Sequence, residues 1–106
     1  MAEGIKATLD ERGKRYGEFT GHAEITQRLK SVMLEGTGLG AEASARVRSR
    51  VAMMRPDQVE ALEMVAHKIG RILNGDPNYD DSWRDIAGYA MLVATRLEKA
   101  AGTALP

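Results

Sequence analysis

The sequence predicts an all-α domain, on three observations. Aromatic residues make up only 5% of the chain, too few for the aromatic and β-branched surfaces on which strands pack. Apolar residues recur at the three- and four-residue spacing of a helix and never alternate over a useful stretch. The segments marked in this way are separated by glycine and proline clusters, which stop helices. At 106 residues and 11.6 kDa the chain has the length of a single domain, 1–106.

Taken in order, Ile5 to Arg15 is expected to form a short helix that stops at Gly13 or Gly17, because Tyr16-Gly17-Glu18-Phe19-Thr20-Gly21 holds too much glycine to continue it. A second helix should begin between Thr20 and His22 and run to Leu34, with Ile25, Leu29, Val32 and Met33 on one face. Gly36-Thr37-Gly38-Leu39-Gly40 then breaks the chain. A third helix is expected over Ala41 to Met54. With Arg46, Arg48, Arg50 and Arg55 against a single Glu42, the stretch 41–55 is the one basic segment. Pro56 suits the first position of a fourth helix, where its missing N–H does no harm, and that helix should end at Asn74 before Gly75. Leu62, Val65, Ala66, Ile69, Ile72 and Leu73 form its predicted buried stripe. After the loop from Asp76 to Asp81, Ser82-Trp83-Arg84-Asp85 reads as a capping box with Ser82 as the cap. The last helix should reach about Lys99, with Trp83, Ile86, Ala87, Ala90, Val93, Ala94 and Leu97 as its core face and 101–106 as a frayed tail. The expected architecture is a small helical bundle built on an antiparallel C-terminal helix hairpin. Met53, Met54, Met64 and Met91 lie partly off the core stripes, so a further apolar surface and a homo-oligomer are expected.

Charge and composition exclude several functions. Lys and Arg together number 15, as do Asp and Glu, so the formal net charge is zero; general nucleic-acid and membrane binders carry a positive excess. The absence of cysteine removes a disulfide scaffold, a thiol nucleophile and a cysteine-ligated zinc. No apolar run approaches the roughly 20 residues of a membrane span, and Met1 to Leu9 lacks the apolar core of a secretion signal. A cytoplasmic protein is expected.

The residues that suggest chemistry are carboxylates on the two long helices. Glu60 and Glu63 form E-x-x-E, three apart on one helix, so their side chains project near one another. Asp81 and Asp85 lie across the predicted hairpin. Two such pairs from facing helices suit Mg²⁺, a hard ion that takes oxygen ligands, and Mg²⁺ clamps phosphate chains and activates water. The competing reading is solvation: Glu60, Glu63, His67, Arg71 and Asn74 cluster opposite the stripe centred on Ile69, and Asp80, Asp81 and Asp85 suit a helix N-terminus without any metal. Lys68 and Arg71 are candidate phosphate partners. Tyr16, Phe19, Tyr79 and Trp83 are candidates to stack on a base, with core or loop anchoring as the alternative. His22 and His67 are the only histidines; His67 is placed to orient a phosphate or to move a proton, or is simply half-exposed. Gly70 and Gly88 interrupt helix interiors at a cost of about 1 kcal/mol each relative to Ala, which some close approach should offset. Gly36-Thr37-Gly38-Leu39-Gly40 lacks the Gly-Lys-Ser/Thr ending of a P-loop.

Two stretches carry a resemblance. One is Glu11-Arg12-Gly13-Lys14-Arg15-Tyr16-Gly17-Glu18-Phe19. The other runs from Glu60-Ala61-Leu62-Glu63-Met64-Val65-Ala66-His67-Lys68-Ile69-Gly70-Arg71 through Asn74-Gly75-Asp76-Pro77 to Asp81-Ser82-Trp83-Arg84-Asp85-Ile86-Ala87-Gly88-Tyr89-Ala90. Over 10–34 and 57–97 the chain resembles a small family of unknown function from tailed phages and prophages, against which 36–55 reads as an insertion. At greater distance the hairpin is similar to the all-α MazG-type nucleoside triphosphate pyrophosphohydrolases, which bind Mg²⁺ through E-x-x-E on one helix and E-x-x-D on the next. Glu60 and Glu63 match the first motif. In the second, Asp85 stands where the glutamate would be and Gly88 where the aspartate belongs, with Asp81 a substitute one turn earlier.

The resemblance implies two functions. One is a Mg²⁺-dependent pyrophosphohydrolase acting on a (d)NTP or related nucleotide. Glu60 and Glu63 would then be catalytic, Glu60, Glu63, Asp81 and Asp85 would hold metal, and Lys68, Arg71 and Trp83 would bind the nucleotide. The other is a binding protein without turnover that sequesters a nucleotide signal or docks on a host protein, which the missing fourth carboxylate favours. A purely structural helical oligomer stands beside both.

Overall fold

A computed structural model of the chain describes residues 2–103. Among them are five helices and no strand: α1 (Ala2–Tyr16), α2 (Phe19–Glu35), α3 (Ala41–Met53), α4 (Pro56–Asn74) and α5 (Asp80–Thr103). The all-α class is as the sequence predicts, and α4 has the expected ends.

The other boundaries move for identifiable reasons. α1 runs through Gly4 and Gly13 and stops only where Gly17 turns left-handed, φ +76°, with its N–H on Gly13 O at 2.9 Å. α2 closes on Gly36, also left-handed at φ 71°, whose N–H reaches Val32 O at 2.9 Å; a glycine in this conformation satisfies a helix-end carbonyl without a Cβ clash. α3 folds back from there, and Ser44 Oγ donates to Glu35 O at 3.2 Å. The predicted capping box on Ser82 is not formed. Ser82 lies inside α5 and is buried, because the preceding turn is completed earlier: Asn78 N donates to Asp76 Oδ1 at 2.9 Å, and the helix starts at Asp80. Asp80 and Asp81 then occupy the first turn, where carboxylates favour the helix dipole. At the other end α5 stays helical through 101–103, part of the stretch expected to fray; 104–106 lies outside the described residues.

α4 is the centre of the molecule. It packs against α5 along one side and α2 along another, and more lightly against α1; α3 packs on α2. The α4–α5 hairpin is laced by two ion pairs, Lys68 Nζ to Asp85 Oδ2 at 2.8 Å and Arg96 to Asp57. These pairs fix how α5 is rotated. It turns Ser82, Asp85, Ile86, Tyr89, Val93 and Arg96 toward α4, and it leaves Trp83, Ala87, Ala90 and Leu97 of its predicted core face exposed. On α4, Ala66 and Ile72 are buried as predicted, whereas Leu73 is 66% exposed.

The α2–α4 crossing depends on Gly70. A Cβ at this position would run into Thr26 Oγ1 and come 3.0 Å from His22 Nδ1. Helix packing therefore accounts for Gly70. At Gly88 a Cβ would meet nothing within 4 Å, so the close approach expected there does not occur within the chain. Gly70→Val should destabilise the fold by about 1–3 kcal/mol, the usual cost of overpacking, whereas Gly88→Ala should stabilise it by up to about 1 kcal/mol through helix propensity. Urea unfolding followed by circular dichroism checks both.

Candidate functional site

A cleft of about 830 Å³ lies where α1 leans over α2 and α4. Its position is set by the link between α1 and α2. The side chain of Asn74, the last residue of α4, donates from Nδ2 to Tyr16 O at 2.9 Å and to Glu18 O at 2.8 Å, while Asp76 N donates to Arg15 O at 2.8 Å. The clasp requires glycine, since a Cβ at Gly17 would overlap Asn74 and one at Gly75 would overlap Arg15 and Tyr16. Polar groups buried by this contact are thus paired rather than orphaned.

Cations and aromatic rings stack around the clasp. The Arg71 guanidinium sits 4.3 Å over the Tyr16 ring and that of Arg15 sits 4.4 Å over Tyr79. Arg15 is also paired with Glu11 at 3.2 Å, whereas the ring contact holds the Arg71 charge in place without neutralising it. Arg12, Lys14 and Arg71 line the cleft with Tyr16 and with Phe19, which is 78% exposed; Asp10 and Glu18 add two carboxylates at its edge.

Its floor is a histidine pair. His22 Nε2 and His67 Nδ1 are 3.2 Å apart, with the rings edge to face at 4.5 Å. One ring must donate and the other accept, so the pair is compatible with neutral imidazoles. His22 is buried beside Thr26, and its Nδ1 has no hydrogen-bond partner. Burial lowers the pKa of His67 from 6.5 to about 4, helped by the nearby Arg71 charge. Burial also lowers that of His22, against an opposing pull from the Gly70 backbone.

The residues singled out from the sequence are distributed differently. Arg71 lies in the cleft. Lys68 does not face it; it is buried in the α4–α5 seam with its ammonium on Asp85. Trp83 is anchored to the α4–α5 turn, its Nε1 donating to Pro77 O at 2.9 Å. Glu60 and Asp81 are exposed, and Glu63 is half-buried on α4. Among the described residues no group of three or more His, Asp or Glu side chains is gathered for a metal. Asp85 already neutralises Lys68. Within one chain, the four carboxylates therefore do not make a ready Mg²⁺ cradle. The sequence reading missed Asn74 as the clasp and the pairing of His22 with His67. The available signal was that the chain's two histidines lie on helices that Gly70 lets approach closely.

Comparison with protein families matches residues 1–97 to DUF6378, a domain of unknown function. The chain belongs to the DUF6378 family. The match spans α1 to α4 and most of α5, so the cleft and the hairpin both lie within the DUF6378 domain. Neither the curated proteins nor the solved structures contain a match. For this DUF6378 domain, the likeness to MazG-type enzymes rests on the residue pattern alone.

The histidine pair makes stability depend on pH. Above about 6.5 His67 is neutral in both folded and unfolded chains; between 6.5 and about 4 the unfolded chain binds a proton that the folded chain does not. Stability should be complete above pH 6.5 and fall as the pH drops toward 4. Thermal unfolding midpoints between pH 7.5 and 4.5 should show this decline, and it should be shallower in His67→Gln.

Proposed function

We propose that the protein binds a phosphate-bearing small molecule, a nucleotide or a close derivative, in the cleft between α1, α2 and α4, and that it does so without turnover. The observation that carries this reading is the combination of Arg12, Lys14 and Arg71 with the Tyr16 and Phe19 rings around a cleft of about 830 Å³, within the usual range of roughly 300–1,000 Å³ for ligand sites. Cations suit phosphate oxygens, and the exposed Phe19 ring suits a base. The neutral histidines below supply hydrogen-bonding capacity without adding charge.

Binding is favoured over hydrolysis because the carboxylates expected to hold Mg²⁺ are dispersed and Asp85 is engaged by Lys68. The resemblance to a phage family agrees with a protein that sequesters a nucleotide signal, or blocks a host protein, inside a host cell. It acts as a homo-oligomer in this reading.

The test is a thermal-shift and calorimetric titration with ATP, dGTP, guanosine tetraphosphate and pyrophosphate, each with and without Mg²⁺. A ligand at 100 times its dissociation constant should stabilise the fold by about 2.7 kcal/mol. Binding should weaken as salt is added and should fall at least tenfold in Arg12→Glu/Lys14→Glu, two exposed positions on α1 that can change without disturbing packing. No pyrophosphate should be released. Steady Mg²⁺-dependent release that disappears in Glu63→Gln would replace this reading with the pyrophosphohydrolase.

A further inference from the structure

The two histidines at the floor of the cleft are not equivalent. His22 is buried, whereas His67 is half-buried and lines the cleft beside Arg71, one helical turn further along α4. His22 Nε2 and His67 Nδ1 are 3.2 Å apart. The Gly70 backbone favours a proton on His22 and lies on its Nδ1 side. His22 Nε2 is then the acceptor and His67 Nδ1–H the donor, which leaves a lone pair on His67 Nε2. That nitrogen can take a proton without loss of the hydrogen bond to His22, which becomes charge-assisted and stronger. The pair is thus arranged to hold an added proton on His67, the ring that reaches the cleft.

In the free protein that proton is kept off. Burial pushes the pKa of His67 down to about 4, and the charges of Arg71, His22, Lys68 and Lys30 act in the same direction. The groups around the pair are unbalanced in sign. α1 contributes Asp10, Arg12 and Lys14, the α1–α2 link Glu18, α2 Lys30, and α4 Lys68 and Arg71. The two carboxylates are exposed at the cleft edge. Lys68 is already met by Asp85, whereas Arg71 is held on the Tyr16 ring. A phosphate bound in the cleft reverses this balance, because its negative charge offsets Arg71 and favours the imidazolium. The protonated ring in turn offers a charge-assisted donor to a phosphate oxygen.

We propose that a phosphate-bearing ligand enters this cleft together with a proton taken up by His67, so that the site holds its ligand more tightly as the medium becomes acidic. The proposal rests on the reading of the cleft as a phosphate site and adds to it a residue that senses both ligand and pH.

Calorimetric titration with pyrophosphate at pH 7.5 and 5.5, on the whole protein and on His67→Gln, tests the proposal. Pyrophosphate itself titrates in this range, so the comparison is between the two proteins. The ratio of wild-type to variant affinity should rise by about fourfold between the two pH values, as linkage to a proton bound with the ligand requires. In proton magnetic resonance, the His67 ring resonance of the wild type should titrate about one pH unit higher with saturating pyrophosphate than without it; the His22 ring is distinguished by its contact with Thr26. This second measurement decides the matter alone if His67→Gln fails to fold or to bind. Pyrophosphate binding with an unmoved His67 titration and an unchanged affinity ratio overturns the proton-linked role and leaves the phosphate site standing. No binding of pyrophosphate to the wild type at either pH overturns both.

Discussion

The close crossing of α2 and α4 is the constraint on which the arrangement depends. Gly70 removes one side chain at the crossing, and the space admits Thr26 and the His22 ring. This brings His22 within hydrogen-bonding distance of His67. Burial there favours neutral imidazoles, so the floor of the cleft carries polar atoms without charge. The same crossing sets the end of α4 beside the α1–α2 link, where Asn74 completes the backbone hydrogen bonding of a glycine turn.

Charge is handled differently on the two flanks of α4. Toward α5, Lys68 and Asp57 meet Asp85 and Arg96 and are neutralised within the hairpin. Partly buried pairs of this kind add little net stability but penalise the loss of either partner, which makes them effective in fixing the rotation of α5. Toward α1, Arg71 lies over the Tyr16 ring, while Arg15, over Tyr79, is also paired with Glu11. A cation held on a ring keeps its charge available to a ligand, whereas one paired with a carboxylate does not. This contrast leaves the Arg71 charge on the α1 side of the molecule, away from the carboxylates that the sequence brought forward.

A polar seam and an uncovered apolar stripe on the same hairpin are two consequences of one rotation. Because Asp85 and Arg96 face α4, the stripe from Trp83 to Leu97 faces outward. Hydrophobic burial of about 25 cal/mol per Å² is then left for contacts outside the single chain.

The sequence by itself determined the helices. Pro56 and Gly75 delimit α4, Gly36 ends α2, and the apolar spacing marks both long helices, because these signals act over a few residues and need no partner. Boundaries failed where a longer-range contact decided them, as when the Asp76 turn started α5 ahead of Ser82. Which of two plausible faces a helix buries, which of several cations meets a carboxylate and which histidine meets the other were decided by the tertiary structure. Periodicity identifies an apolar stripe but not the element that covers it. Lys68 and Arg71 are both helical cations three residues apart, and only the packing of α5 and α1 gives one to Asp85 and the other to the cleft.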